Sequence, residues 1–229
     1  MIALVRFQIV GYIRSLRALQ PFIVVALLVA LVLAQGPGGP DASDLAVRAI
    51  ADVAAVMFPV WAWTARALLD TQPDEQRALT ATAVRRPSIP IWAGLLAAYA
   101  MNLCLGFLAL AIPLVQAVHA GSPGAAILAG CGLNLLAAIP GTLLGAWTSR
   151  ALIPDPGVSL LALLGGALAL LLLGIGPLSR LSVPMIEWLH AAHDGPDAFT
   201  SAFPALAFRL LLWSAVVAAL YTTAARHRS

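Results

Sequence analysis

The sequence has no lysine, few charged residues of any kind and only two cysteines. Charged residues make up 10% of the chain, whereas 61% of the residues are hydrophobic and the mean hydropathy is +0.93. Soluble globular domains are about half apolar and about a quarter charged, so this chain has too little polar surface to cover a particle in water. The composition therefore excludes an ordinary soluble domain and indicates an integral membrane protein.

The missing lysine also bears on nucleotide binding. A P-loop uses a lysine to reach the nucleotide phosphates, and all thirteen basic residues here are arginine. We therefore expect any ATP to be bound by a separate polypeptide. The two cysteines, Cys104 and Cys131, lie inside apolar runs and have neither the spacing of a disulfide framework nor that of a metal site.

Six apolar stretches approach or exceed the roughly 20 residues that a helix needs to cross a bilayer. They are Ala18–Gln35, Ala49–Leu68, Ile91–Val118, Ala125–Leu152, Val158–Leu178 and Phe203–Ala224. Their length favours helices over barrel strands, in which polarity alternates every second residue. Pro59, Pro113 and Pro140 fall inside spans, where each removes one backbone hydrogen bond. The sequence predicts a single all-α transmembrane domain over residues 1–229, with six spans.

Arginine is distributed unevenly between the two ends of these spans. With a cytoplasmic amino terminus, ten of the thirteen arginines lie on the cytoplasmic side, and Arg48, Arg180 and Arg209 lie toward the outside. Arginine and lysine accumulate on the cytoplasmic side of membrane proteins. We therefore expect both termini in the cytoplasm.

Residues 1–17 have the pattern of a helix that lies on the membrane surface. Six apolar residues recur at three- and four-residue steps and form one stripe, namely Ile2, Val5, Ile9, Tyr12, Ile13 and Leu16. Arg6, Arg14 and Arg17 gather along one edge of that stripe, where they would meet lipid headgroups. Gly11 and Pro21 favour a change of direction before the first span. Such a helix is either an anchor alone or an element that a partner can push.

The longest polar stretch, DTQPDEQRALTATAVRRP at 70–87, lies between the second and third spans. Pro73 suits a first helical turn, and Asp74 and Glu75 complement the positive end of the helix dipole. Pro87 ends the helix after two arginines. A short helix over Pro73–Val84 is either a solvated loop or a surface that docks into a groove on another protein.

This arrangement resembles the type-2 ABC exporter permeases. A basic interfacial helix, six spans and a cytoplasmic helix between spans two and three are typical of that family. The string WTARALLDTQPDEQRALTATAV at Trp63–Val84 is similar to its small actinobacterial members, which are antibiotic- or bacteriocin-type permeases. In that family the first helix is the elbow helix, and the loop after span two carries the coupling helix, which inserts into the ATPase subunit. The resemblance implies these two roles for Ile2–Arg17 and Pro73–Val84.

The resemblance also implies which residues contact the ATPase: Pro73, Asp74, Glu75, Gln76, Arg77, Leu79, Thr80 and Ala83. The implied partners are cytoplasmic ABC ATPase subunits, which would carry the ATP and Mg²⁺, so no cofactor is expected on this chain. A second permease copy or a close relative is expected as well, because six spans without an internal repeat make half a pathway. The implied location is the bacterial plasma membrane.

Polar residues inside spans are costly and are often functional. The candidates for a substrate path are Asn102 and Gln116 in span three, Asn134 and Thr142 in span four, and Arg209 in span six. The same reasoning leaves Arg209 a structural role, in which it pairs with an acid of the outer loop, Glu187 or Asp194. Arg48 and Asp52 are four residues apart near the start of span two and can pair along one helix face.

The outer loop at 179–202 precedes the last span. Members of the family that the chain resembles often have two short re-entrant helices at this point, and Ser182–Thr200 is long enough for them. Glu187, His190 and His193 follow one another at three-residue steps, which fan side chains apart around a helix, whereas zinc sites on helices use a four-residue pair. We expect no metal site there.

Three functions fit the sequence. The first is the permease subunit of an ATP-driven exporter, which is not itself an enzyme. The second is a stand-alone carrier or a scaffold, although a carrier usually has inverted repeats. The third is a membrane-embedded lipid-modifying enzyme or protease, which would need acids, histidines or a nucleophile facing a shared cavity. The scarcity of polar residues in the spans favours an apolar or amphipathic cargo, such as an antibiotic, a peptide or a lipid.

Overall fold

The computed structural model describes residues 1–35, 41–72 and 88–228, and over these residues the secondary structure is helical with no strand. In chain order the α-helices are α1 (Ile2–Arg14), α2 (Leu19–Gln35), α3 (Ala42–Leu69), α4 (Ser88–His119), α5 (Gly124–Trp147), α6 (Pro156–Ile175), α7 (Met185–His193) and α8 (Pro196–Arg228). A 3₁₀ turn at Ser179–Leu181 precedes α7.

Five helices of the described part, α3 to α6 and α8, are long and apolar enough to cross a membrane, and α1 with α2 gives a sixth if that bent pair is one span. The chain is therefore an all-α protein of the multi-pass membrane type. Helix α2 is the shortest of the predicted spans, with 17 residues. Pro59, Pro113 and Pro140 lie inside α3, α4 and α5, as predicted.

Two spanning helices, α3 and α8, begin seven residues before the apolar stretches that predict them. Helix α3 starts at Ala42 and has Asp44 in its first turn, and α8 starts at Pro196 with Asp197 in its first turn. An acid near a helix N-terminus complements the dipole, so these polar turns are good helix starts although their hydropathy is low. Helix α5 ends earlier than predicted, because the Thr148 and Ser149 hydroxyls donate hydrogen bonds to the carbonyls of its last turn.

The break predicted between the interfacial helix and the first span is present. Helices α1 and α2 are bent by 76° relative to each other, and Leu16 between them has a φ of 58°. This left-handed conformation is uncommon for a leucine and directs the chain away from the axis of α1. Gly11 and Pro21, which suggested the break, lie within the two helices instead.

Only part of the predicted apolar stripe on α1 packs against the protein. Tyr12 is fully buried, and Val5 and Ile9 pack beside it against α3 and α4. Ile2 and Ile13 of the same stripe are exposed. Helix α1 is thus attached to the bundle by one edge and keeps apolar side chains on its outer surface.

Helix α3 lies at the centre of the bundle and packs most extensively against α5 and α4. Glycine permits the close contact with α5, since a Cβ added at Gly145 would lie 2.2 Å from the carbonyl oxygen of Ala62. In the most apolar part of α3, 61% of the residues are buried, compared with 17% in α6 and in α8. Helices α6 and α8 therefore lie at the edge of the bundle.

The contacts between helix ends define two ends of the molecule. At the Asp70 end, Arg17, Asp70 and Arg150 are joined by hydrogen bonds. At the opposite Ser122 end, the hydroxyl of Ser122 donates a 3.0 Å hydrogen bond to the carbonyl oxygen of Ser43. Helix α8 runs from the Ser122 end to the Asp70 end, so both the amino-terminal helix and the carboxyl terminus lie at the Asp70 end.

Candidate functional site

The predicted ATPase-coupling residues, from Pro73 to Ala83, lie outside the described residues. The structure does describe the helix from which this segment leaves, because α3 ends at Leu69 and the chain is described to Gln72. The base of the segment is therefore at the Asp70 end, beside both chain termini.

Asp70 is buried and joins three parts of the chain at this base. Its carboxylate accepts a 2.8 Å hydrogen bond from the backbone N–H of Arg150, which follows α5, and lies 3.8 Å from the guanidinium of Arg66. Its backbone carbonyl accepts a 3.2 Å hydrogen bond from Arg17, between α1 and α2. We call this set, together with Ser159 of α6, the Asp70 junction.

Arg66 extends the Asp70 junction to α6. Its Nε donates a 2.5 Å hydrogen bond to the hydroxyl of Ser159, and its terminal nitrogen donates a 3.0 Å hydrogen bond to the carbonyl of Pro156. The Ser159 hydroxyl in turn donates to the carbonyl of Thr148 at the end of α5. A displacement of the chain at Asp70 would thus be transmitted to the starts of α2 and α6 and to the end of α5.

Of the three arginines predicted on the interfacial helix, Arg17 reaches this junction. Arg6 and Arg14 are exposed, in keeping with the headgroup contacts predicted for them, and no hydrogen bond to the described part of the chain engages either.

Asn102 and Thr142, two of the predicted substrate-path residues, contact each other inside the bundle. Asn102 is fully buried, and its amide donates hydrogen bonds to the Thr142 hydroxyl at 2.9 Å and to the carbonyl of Trp61 at 3.0 Å. The Trp61 indole returns a 3.1 Å hydrogen bond to the carbonyl of Asn102. These groups link α3, α4 and α5, and their role in a substrate path stays a prediction.

Asn134 is likewise used for packing. Its amide donates hydrogen bonds of 3.0 Å to the carbonyls of Ile50 in α3 and Gly130 in its own helix. Its side chain is almost completely buried.

Gln116 lies elsewhere, on the wall of a cavity at the Ser122 end. The cavity has a volume of about 380 Å³ and is lined by α2, α3 and α4, with His193 of α7 also in its lining. Arg48 and Asp52 of α3 also line it. The cavity thus brings Gln116, a predicted path residue, together with Arg48 and Asp52, which the sequence did not connect with it.

The predicted pairing of Arg48 with Asp52 is wrong. Asp52 pairs with His193, whose Nε2 lies 3.2 Å from a carboxylate oxygen of Asp52, and no ion pair within the described ranges joins Asp52 to Arg48. Helix α7 brings His193 over α3, so a partner from a distant part of the chain replaces the neighbour on the same helix. No group of three or more histidines, cysteines and acids in the described part could hold a metal ion.

Arg209 is the last of the predicted path residues, and it joins α8 to α7 and to the 3₁₀ turn at the Ser122 end. It forms an ion pair with Glu187 of α7 and donates a 2.8 Å hydrogen bond to the carbonyl of Ser179. The predicted pairing with Glu187 is therefore present.

Residues 179–202 are the 3₁₀ turn, the single short helix α7 and the first turns of α8, with Trp188 of α7 fully buried against the bundle. Their re-entrance into a membrane stays a prediction.

No protein family model, curated protein or solved structure matches this chain, so its function has to be argued from the geometry of its own residues.

Proposed function

We propose that this chain is the membrane-spanning permease subunit of an ATP-driven ABC exporter of the type-2 class, in the bacterial plasma membrane. A separate cytoplasmic ATPase drives it, and a second permease copy or a close relative completes the pathway. The cargo is an apolar or amphipathic compound. The chain itself transports and does not catalyse a reaction.

The Asp70 junction is the observation that carries this proposal. A coupling helix works only if a push on it reaches the spans, and the segment 70–87 begins at a residue bonded to the α1–α2 bend, to the end of α5 and, through Arg66, to α6. A solvated loop needs no such attachment. The bend of 76° after α1 supports the elbow role of Ile2–Arg17 in the same way.

The test is made on the docking face expected for Pro73–Val84. Leu79 is its best anchor, since burying a leucine on a partner stabilises by roughly 1.5–3 kcal/mol. We expect Leu79→Asp to leave membrane insertion intact and to weaken association with the ATPase. The permease is co-expressed with a soluble P-loop ATPase, which is sought first in the reading frames next to its gene. Co-purification from detergent and transport-coupled ATP hydrolysis are measured.

The matched control is Ala78→Asp, which introduces the same charge one residue earlier, about 100° around a helix from Leu79 and away from the side shared by Leu79 and Thr80. We expect it to retain the ATPase, and both variants should elute as monodisperse permease. If Leu79→Asp captures the ATPase and stimulates its hydrolysis at the level of the unmodified protein, the docking role is wrong. Transport by the chain in vesicles without any ATPase would favour a stand-alone carrier instead.

A further inference from the structure

The cavity at the Ser122 end has the size and the lining of a ligand site. Its volume of about 380 Å³ falls within the range of small-molecule pockets, roughly 300–1,000 Å³. Leu28 and Leu31 of α2 form one wall, and Val53, Val56 and Met57 of α3 face it. An apolar lining with a few polar groups is the usual composition of such sites.

The polar groups are gathered at one end of this cavity. Arg48 and Asp52 are one turn apart near the start of α3, and Gln116 is near the end of α4, so all three belong to the Ser122 end. The wall then continues along α3 to Met57, nine residues beyond Arg48 and thus about 13 Å away at the helical rise. The cavity is therefore amphipathic along its length, with its polar groups toward the Ser122 end and an apolar lining beyond them.

Of the two charged residues of α3 that line the cavity, Arg48 has no partner among the residues that the structure describes. No hydrogen bond or ion pair from the described parts of the chain engages it, and its Nε is buried without a partner. Asp52 already has His193 at 3.2 Å, and both of those side chains are about half exposed. A buried N–H without a partner is costly, and a guanidinium pairs best with a carboxylate or a phosphate.

We propose that this cavity binds a single-chain amphiphile with one anionic head, a carboxylate or a phosphate, held by Arg48. The chain of the ligand runs along α3 toward Met57. The limited volume suits one short chain rather than the two chains of a membrane phospholipid. Binding of this ligand requires no ATPase and does not depend on the proposed function. Only the further step, that the ligand is the exported cargo, rests on the proposed function.

The test measures binding of radiolabelled decyl phosphate to the purified chain in nanodiscs of phosphatidylcholine, with empty nanodiscs subtracted. We expect saturable binding at one site, and Arg48→Gln should weaken it by about tenfold or more, as expected for the loss of a charge-assisted hydrogen bond. The matched control is Arg180→Gln, which removes an exposed arginine that does not line the cavity and should leave binding unchanged.

A second pair of variants fills the cavity without changing charge. Val56 lines the cavity and is 47% exposed, so Val56→Trp should block decyl phosphate without overpacking the core. Val216→Trp adds the same side chain at a similarly exposed position of α8, away from the cavity, and should bind normally. Thermal stability in detergent is measured for all four variants, and we expect it to be preserved.

Three results would overturn the site. If Arg48→Gln and Arg180→Gln weakened the binding of decyl phosphate equally, surface charge alone would attract it. Equal binding of uncharged decanol would mean that the head is not recognised. Displacement of decyl phosphate by phosphatidylglycerol in the disc would assign the cavity to a two-chain lipid. Because none of these measurements uses an ATPase, the site and the proposed exporter function can fail independently.

Discussion

Two buried asparagines fix α4 and α5 against the central helix. Asn102 donates to the carbonyl of Trp61, and Asn134 donates to the carbonyl of Ile50, three turns away on α3. Each carbonyl has two lone pairs, so it can accept this bond in addition to its helical one. The bonds define the rotation and the register of the neighbouring helices, which packing of small apolar residues alone would leave less well defined.

Asn102→Leu should destabilise the protein by about 1–3 kcal/mol, because the hydrogen bonds that its amide donates to Trp61 and Thr142 are lost. Thermal unfolding in detergent measures the effect. Gln116→Leu is the matched control, since Gln116 lines the open cavity and its replacement should change stability little. Equal stability of the two variants would show that the Asn102 bonds contribute nothing measurable.

At the scale of helices, hydropathy predicts where spans lie but not what they contact. Every spanning helix overlaps an apolar run because the run is what lipid requires. The polar residues inside the runs are equally visible, yet the sequence gives no sign of whether the partner of Asn102 is a substrate or another helix. The same limit applies to Asp52, whose partner His193 is 141 residues away, and to the Asp70 junction, whose members come from four distant segments.

Two glycines of α5 that pack closely against α3 can be recognised in the sequence from their spacing. Gly141 and Gly145 of α5 have the G-x-x-x-G spacing that lets helices approach closely, and a Cβ at Gly141 would meet Trp61 at 2.9 Å. Helix α6 also has several glycines, which would suit close helix packing, but a Cβ at Gly165 would meet nothing within 4 Å. The spacing does not mark every close contact, since a Cβ at Gly130 would meet Ile50 at 2.4 Å and one at Gly166 of α6 would meet Leu144 at 2.9 Å.

Gly145→Ala should destabilise the bundle by about 1–3 kcal/mol or more, because the new methyl group would collide with the backbone of α3. The neighbouring atoms are the Ala62 carbonyl and the Arg66 nitrogen, which cannot rotate away as a side chain can. Gly165→Ala is the matched control and should stay within about 0.5 kcal/mol of the unmodified protein. Equilibrium unfolding in mixed micelles compares the two, and similar losses would contradict the close packing of α3 and α5.

At the scale of the molecule, the two ends differ in chemistry. The Asp70 end holds the base of the polar segment, helix α1, the end of α8 and a hydrogen-bonded junction, and most of the arginines that the structure describes lie on this side. The Ser122 end holds the amphipathic cavity, the Asp52–His193 pair and the Arg209–Glu187 pair. An exporter needs this asymmetry, with the drive applied at one face and the cargo released at the other.

The arginine distribution predicts that the Asp70 end faces the cytoplasm, and single cysteines test that prediction. Cys104 is exposed and Cys131 is partly exposed, so Cys104→Ser and Cys131→Ala provide the background. In intact cells, a membrane-impermeant maleimide should modify Asp194→Cys, which lies after α7 at the Ser122 end, and should spare Gln76→Cys until the membrane is opened. Asp194 is exposed in the fold, so a lack of labelling there would not result from burial. The reverse pattern would place the polar segment outside the cell, where no ATPase could reach it, and would overturn the orientation and the exporter proposal together.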